Sequence, residues 1–275
     1  MDGKSKDVDK ILDEYYKITG KERRLVDKDL FETVEEVFDT ATVKTILNLV
    51  RKRYIYELKG VVSAGKEARV YWGTDFRGND IAVKIYLTST AEFRKGLIKY
   101  LRGDPRFDGK IPRSTRKLMC LWARKEFRNY SLMNEAGVSV PKPITQLENV
   151  LVMEFIGEKG RRAPLLKEVE LSDEEYYEIF KNLIMDVRKM YRVAGLVHGD
   201  LSEYNVMIWR GRHYIIDVSQ AVKVTHPNAH EFLVRDLRNI RRFFADEIGL
   251  DIPSLGELYN YVIGDTDSLA GIDEL

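Results

Sequence analysis

The spacing of hydrophobic positions alternates between helical and strand periods along the chain. From about residue 7 to residue 53, Val34, Val37, Phe38, Ala41, Val43, Ile46, Leu47 and Val50 recur at helical intervals, which predicts an N-terminal helical extension. From Tyr54 to Tyr86 the period shortens: Ile55–Val62, Arg69–Thr74 and Ile81–Tyr86 read as strands, separated by the loop Ser63-Ala64-Gly65-Lys66-Glu67-Ala68 and a turn at Phe76–Asp80. Helical spacing returns over Leu118–Ala136, which Gly137 stops, and a further strand is predicted over Asn149–Gly157. Ser172 reads as an N-cap, Glu175 closes a capping box, and the helix they open runs to about Ala194. Two more helices are expected, Ala229–Ala245 and a last one near Leu255–Val262. Before them, Val206-Met207-Ile208 and Tyr214-Ile215-Ile216 form a predicted hairpin around the turn Trp209–His213.

That hairpin carries the chemistry. Asp200 and Asn205 lie on the loop before its first strand, and Asp217 follows its second. A short ribbon of this kind gathers three oxygen-bearing side chains around one point, which suits Mg²⁺, a hard cation that takes a few protein oxygens plus substrate phosphates. Either Asp200 or Asn205 alone reads as a turn cap; the order and spacing of the set favour a site. The loop Ser63–Ala68 is small and polar, so its backbone N–H groups can approach a phosphate, yet alone it reads as an ordinary hairpin turn. Lys84, set between Val83 and Ile85 on a predicted strand, changes that reading, because a lysine at such a position calls for a partner. Glu126 is the expected partner, with Glu135 its competitor on the same helix. Met153, Glu154 and Ile156 lie where a strand passes into a Gly-containing linker, and taken alone they also read as an ordinary buried strand.

Composition narrows the class. The 275 residues are 44% hydrophobic and 32% charged with a formal net charge of +1, as in a soluble globular protein. The average hides a basic stretch: Lys84–Arg128 holds 13 Lys/Arg against 4 Asp/Glu, an excess of +9. Residues 88–117 within it, broken by Gly103-Asp104-Pro105 and Ile111-Pro112, are expected to form a mobile, solvated insertion that is either plain charged surface or an electrostatic contact for RNA. Gly264–Leu275 carries four acids and no base. The single Cys120 reads as a small buried apolar residue and, with no apolar run long enough to span a bilayer, points to a cytoplasmic, reducing location.

His198-Gly199-Asp200 with Asn205 five residues after the Asp resembles the catalytic loop of protein kinases, and Ala82-Val83-Lys84 resembles their third-strand lysine motif. Taken with Ser63–Ala68, His198–Asn205 and Ile215-Ile216-Asp217-Val218-Ser219-Gln220, the resemblance is to the RIO family of atypical serine/threonine protein kinases, and the Leu-Ser-Glu-Tyr-Asn and Asp-Val-Ser-Gln wording is similar to its first subfamily. The resemblance runs from about Thr33 to Phe244. It implies an α+β, reduced two-lobed kinase-like fold without an activation loop: a helical extension (1–53), an N-lobe (54–153) and a C-lobe (154–275). It also implies ATP with Mg²⁺ or Mn²⁺, ATPase activity, autophosphorylation on serine or threonine, and work on the small ribosomal subunit precursor with its RNA and proteins, for which the basic segment Arg94–Lys117 is the expected contact unless it is plain charged surface. Self-association is left open.

By that resemblance Lys84 holds the phosphates, Glu126 orients Lys84, Asp200 accepts the proton of the attacking hydroxyl, and Asn205 and Asp217 ligate the metal. Ser63, Ala64, Gly65, Lys66, Glu67, Ala68, Val70, Met153, Glu154, Ile156 and Glu203 complete the expected nucleotide site. Ala64 departs from the Thr usual in the subfamily, removing a hydroxyl near the phosphates for which Ser63 can substitute. Two other readings compete: a small-molecule kinase similar to the aminoglycoside phosphotransferases, which share His-Gly-Asp-Leu before an Asn, and an ATP-switched RNA-binding module.

Overall fold

The computed structural model describes residues 10, 13–20, 39–87, 91–107, 109 and 111–269. Val34, Val37 and Phe38, part of the expected extension, lie outside the described residues, as do Thr88, Ser89 and Thr90. Two compact units emerge: residues 1–89, 114–124 and 143–162, and residues 90–113, 125–142 and 163–275.

The first unit is a five-stranded antiparallel sheet with a helix. Helix α1, Thr40–Arg51, is capped by Asp39, whose Oδ1 accepts the Thr42 N–H at 2.8 Å. Its buried Val43, Ile46, Leu47 and Val50 share one face and join a core with Leu58, Tyr71, Ile81, Val83, Ile85, Val150 and Val152. The strands are β1 (Glu57–Ala64), β2 (Ala68–Thr74), β3 (Asp80–Tyr86), β4 (Pro143–Leu147) and β5 (Val150–Glu154), in the order β1-β2-β3-β5-β4. Strand β3 is central, and β-branched residues fill it as that position demands. Its register sets Lys84 between Val70 of β2 and Leu151 of β5. A small ribbon follows, β6 (Gly157–Glu158) paired with β7 (Arg161–Arg162).

The second unit is mostly helical. It contains α2 (Ala91–Ile98) and the later part of α3 (Thr115–Glu135), whose earlier turns belong to the first unit. Helix α4, Asp173–Arg192, starts on the expected capping box: Ser172 Oγ accepts the Glu175 N–H at 3.3 Å, and Glu175 Oε2 accepts the Ser172 N–H at 3.0 Å. One face of α4 buries Tyr176, Ile179, Phe180, Leu183, Ile184, Val187 and Met190, each worth roughly 1.5–3 kcal/mol before entropy is counted. Strand β8 (Leu196–Val197) leads to the loop that carries Asp200, and β9 (Val206–Trp209) pairs with β10 (Arg212–Ile215). The expected five-residue turn is only two residues long. Arg210 and Gly211 take φ of 52° and 73°, the left-handed pair of a type I′ turn, whose twist matches the strands. Strand β11 (Val222–Lys223) returns to β8. Helix α5 (Ala229–Arg241) passes into a π-helical turn, Arg242–Glu247, and α6 (Leu255–Ile263) follows.

The basic segment differs from the expected mobile, solvated insertion. It opens with α2 and buries Leu97, Tyr100, Leu101, Asp104 and Phe107. The Tyr100 ring packs on Phe232 with centroids 5.4 Å apart, and Arg94 donates to the carbonyls of Pro112 (2.7 Å) and Arg113 (2.5 Å). Apolar residues spaced among the lysines and arginines dock the segment, a signal that charge counting obscures.

Candidate active site

The catalytic loop is shaped from beneath by α5. Asp236 is buried and accepts the N–H groups of Gly199 (2.7 Å) and Leu201 (2.9 Å). The Arg235 guanidinium bonds the Gly199 carbonyl, Asn239 Nδ2 donates to the Leu201 carbonyl at 3.1 Å, and Arg242 donates to Glu203 Oε1 at 2.8 Å. Arg235, Asp236 and Asn239 share one side of α5, and Arg242 opens the π-helical turn that continues it, so these consecutive elements hold the loop on either side of Asp200. Burial foremost lifts the Asp236 carboxyl to about 7, against the pull of its two N–H donors and Arg235. His198 is buried behind the loop, its Nε2 3.2 Å from the Ile216 carbonyl. Burial lowers its pKa to about 4, so the ring is neutral and the proton sits on Nε2.

Asp200 itself is exposed. Gln220 Nε2 donates to its Oδ2 at 3.1 Å. The surrounding protein mass first, and the Asp217 charge next among the raising causes, raise its pKa from the ordinary Asp value, while Arg235 and Lys99 pull it back.

Asn205 Nδ2 donates to the Asp200 carbonyl at 2.7 Å, which leaves Oδ1 as the atom able to ligate a cation. The Ile216 N–H donates to the Asn205 carbonyl at 2.9 Å and so ties the two ends of the hairpin together. Asp217 stands at φ 56°, ψ 54°, a left-handed conformation that costs a non-glycine residue about 1–3 kcal/mol and persists only where its surroundings enforce it. Tyr130 OH accepts the Asp217 N–H at 3.0 Å, and Ser219 Oγ donates to Asp217 Oδ1 at 3.0 Å.

The donor set suits magnesium. Among the described residues no group of three or more His, Cys, Asp or Glu is placed to hold a metal ion. Asn205 and Asp217 offer two hard oxygens, as expected of a cation that keeps several waters and takes phosphate oxygens from its substrate.

The first unit holds the rest of the predicted set. Lys84 is buried on β3, its Nζ 5.2 Å from the centre of the Tyr86 ring. Ser63 and Ala64 belong to β1, opposite Val70 and Arg69, so the true loop is Gly65-Lys66-Glu67, closed by a 3.0 Å bond from the Gly65 N–H to the Ala68 carbonyl. Ser63, Ala64, Gly65, Lys66 and Glu67 are exposed. Met153 and Glu154 pair with Ala82 and Ile81 of β3, and Ile156 is buried just beyond. Unit two thus brings together Asp200, Glu203, Asn205 and Asp217, with buried Glu126 in the same unit, and unit one brings together Lys84, Val70, the Ser63–Ala68 segment and the Met153–Ile156 strand end.

Sequence reasoning missed Arg235, Asp236, Asn239 and Tyr130. For Asp236 a signal existed: it interrupts the apolar stripe Phe232, Leu233, Leu237 and Ile240 with an acid, which a core face accepts only when the acid has donors.

A sequence profile of the RIO domain matches residues 69–254. The chain is 44% identical over 243 residues to the RIO-type serine/threonine-protein kinase Rio1 of Haloferax volcanii, covering 88% of this chain and 81% of that one. It is 41% identical over 246 residues to the serine/threonine-protein kinase RIO1 of Caenorhabditis elegans, covering 88% of this chain and 48% of the relative, so it spans about half the length of that protein. Among solved structures, the Rio2 kinase of Chaetomium thermophilum, crystallised as its ADP/Mg²⁺-phosphoaspartate complex, superposes with a TM-score of 0.63 at 24% identity, over 84% of this chain and 67% of that one, and shares the fold. The chain therefore belongs to the RIO family of serine/threonine protein kinases, in its first subfamily.

Proposed function

We propose that this chain transfers the γ-phosphoryl group of ATP to serine or threonine hydroxyls, its own included, and hydrolyses ATP when no acceptor is bound. The observation that carries the reading is the union of Asp200, Asn205 and Asp217 on one loop and hairpin, braced by α5. Phosphoryl transfer demands positioning and charge neutralisation more than covalent help. Asp200 accepts the proton of the attacking hydroxyl and orients that oxygen toward the phosphorus. Asn205 and Asp217 would hold Mg²⁺ or Mn²⁺, which supplies neutralisation of the phosphate charge when bound. Lys84 would hold the phosphates, with Glu126 orienting it, and Met153, Glu154 and Ile156 would border the base. The names of the relatives favour protein over small-molecule substrates.

Incubation with γ-labelled ATP and Mg²⁺ tests this by following acid-stable label on protein beside free phosphate. Neither label nor phosphate, from folded protein that binds nucleotide, contradicts it. Label transferred to small alcohols in preference to protein would favour the small-molecule reading.

A second reading rests on the basic segment. Lys95, Lys99, Arg102, Arg113 and Lys117 are exposed, whereas Arg94, Arg106 and Arg116 are engaged with internal partners. The exposed set would contact RNA of the small ribosomal subunit precursor, with binding that weakens steeply with salt. Charge reversal at Lys95, Arg102 and Arg113 should abolish that binding, and Asp200→Ala should leave it intact.

A further inference from the structure

The turn after Asp217 is held by a buried polar cluster that the proposed chemistry does not use. Lys125 and Asn129, one helical turn apart on α3, are both fully buried. Lys125 Nζ donates to the Ser219 carbonyl at 2.8 Å and also to the Ala221 carbonyl. Asn129 Nδ2 donates to the carbonyls of Val218 (2.7 Å) and Ala221 (3.1 Å). Asn129 Oδ1 in turn accepts from Arg106 Nη1 at 2.7 Å. Arg106 grips the buried Asp104 through Nε (2.9 Å) and Nη2 (2.7 Å), and Nη2 also reaches the Ala221 carbonyl at 3.4 Å. One carbonyl oxygen, that of Ala221, thus gathers donors from three side chains.

Burying a lysine costs several kcal/mol unless its charge is met by hydrogen bonds and a counter-charge. Here two carbonyls supply hydrogen bonds and Asp104 and Glu126 a counter-charge, yet burial first and the Arg106 charge next still push the Lys125 pKa well below the ordinary lysine value. An apolar residue would fill the same position on α3 without that cost, so the cation needs a reason. The object it grips supplies one: the backbone of Val218–Ala221 carries Asp217 at one end and, through Gln220, touches Asp200 Oδ2 at 3.1 Å. The left-handed Asp217 is held from both sides, by Tyr130 on its own N–H and by this cluster on the carbonyls that follow.

We propose that Asp104, Arg106, Lys125 and Asn129 act as positioning residues that set the Val218–Ala221 turn and thereby aim Asp217 at the metal–nucleotide complex. The inference rests on the metal role proposed for Asp217. It makes part of the basic segment, Asp104 to Arg106, a component of the metal site rather than surface decoration.

The test uses the full chain and a fluorescent ADP analogue, titrated with and without Mg²⁺. The variant is Asp104→Asn/Arg106→Gln, which removes both members of the ion pair together, with Lys125→Met as a second. Outer-shell partners of metal ligands are typically worth 10–100-fold, so the half-saturating Mg²⁺ concentration should rise about tenfold or more while metal-free nucleotide affinity stays within about twofold. Cooperative thermal unfolding confirms that each variant is folded, and if Lys125→Met does not fold the double variant decides. Unchanged Mg²⁺ dependence in a folded variant overturns the proposal. So does an equal loss of metal-free and metal-dependent binding, which is what a merely structural role gives. Wild-type protein whose nucleotide binding ignores Mg²⁺ would instead defeat the metal role of Asp217, and this inference with it.

Discussion

Replacing Asp236 by Asn tests whether α5 templates the catalytic loop. The carboxylate accepts two backbone N–H groups, at 2.7 and 2.9 Å, in a fully buried position. The amide keeps the size but offers one acceptor oxygen and points an N–H₂ at the second donor. One buried N–H is left unsatisfied, at about 1–3 kcal/mol. For a protein of this length that lowers Tm by roughly 2–10 °C. The loop carrying Asp200 loses its fixed placement, and turnover should fall on the order of 10²-fold. The pH dependence adds a sign. Burial raises the folded-state pKa of Asp236 to about 7, above its unfolded value, so the folded chain holds the proton more tightly. The associated stability is fully present below about pH 4 and is lost as pH rises through about 7, an effect of roughly 4 kcal/mol at most. The amide of the variant cannot titrate. The Tm gap between wild type and Asp236→Asn, followed by differential scanning calorimetry, should therefore narrow between pH 5 and pH 8. A gap that stays constant or widens refutes this reasoning, and wild-type turnover in the variant refutes the template role.

Three other outcomes are expected. Asp217→Ala should abolish phosphotransfer and Lys84→Ala should weaken it severely, as read by label transfer from γ-labelled ATP. Gly211→Val places a β-branched residue at φ 73° in the hairpin turn and should cost about 1–2 kcal/mol in a urea unfolding curve. Asp186 accepts from His213 (2.9 Å), Lys189 (2.8 Å) and the Ser139 N–H (2.8 Å); burial opposes its ionisation, but these donors prevail and hold its carboxyl down to about 2. Its stabilisation is present above about pH 4 and lost as pH falls through 2, and Asp186→Ala should cost about 3–5 kcal/mol at neutral pH and much less in acid.

The elements with local causes were legible in the sequence. The Ser172–Glu175 capping box, the strands flanking Lys84 and the hairpin between Asn205 and Asp217 follow from periodicity and turn chemistry, and all are present. What escaped depends on contacts distant in sequence. Asp236 acts on Gly199 from 37 residues away, and although an acid in an apolar stripe implies donors, nothing local to it says which they are. Lys125 looked like one charge among many in a basic helix, because whether a lysine faces solvent or two carbonyls is settled by packing. The same blindness made 88–117 read as solvated: Leu97, Leu101 and Phe107 find their burial in tertiary contacts. Ser63 and Ala64 read as loop because their small side chains carry turn propensity, which pairing with Val70 and Arg69 overrides.

The most direct test compares wild type with Asp200→Ala in a single turnover of γ-labelled ATP and Mg²⁺, with nucleotide affinity measured on the same samples. The expected result is unchanged nucleotide binding, acid-stable label on serine or threonine in the wild type, and loss of both label and free phosphate in the variant. Phosphotransfer at the wild-type rate by folded, nucleotide-bound Asp200→Ala protein would contradict the assignment of Asp200 as the base.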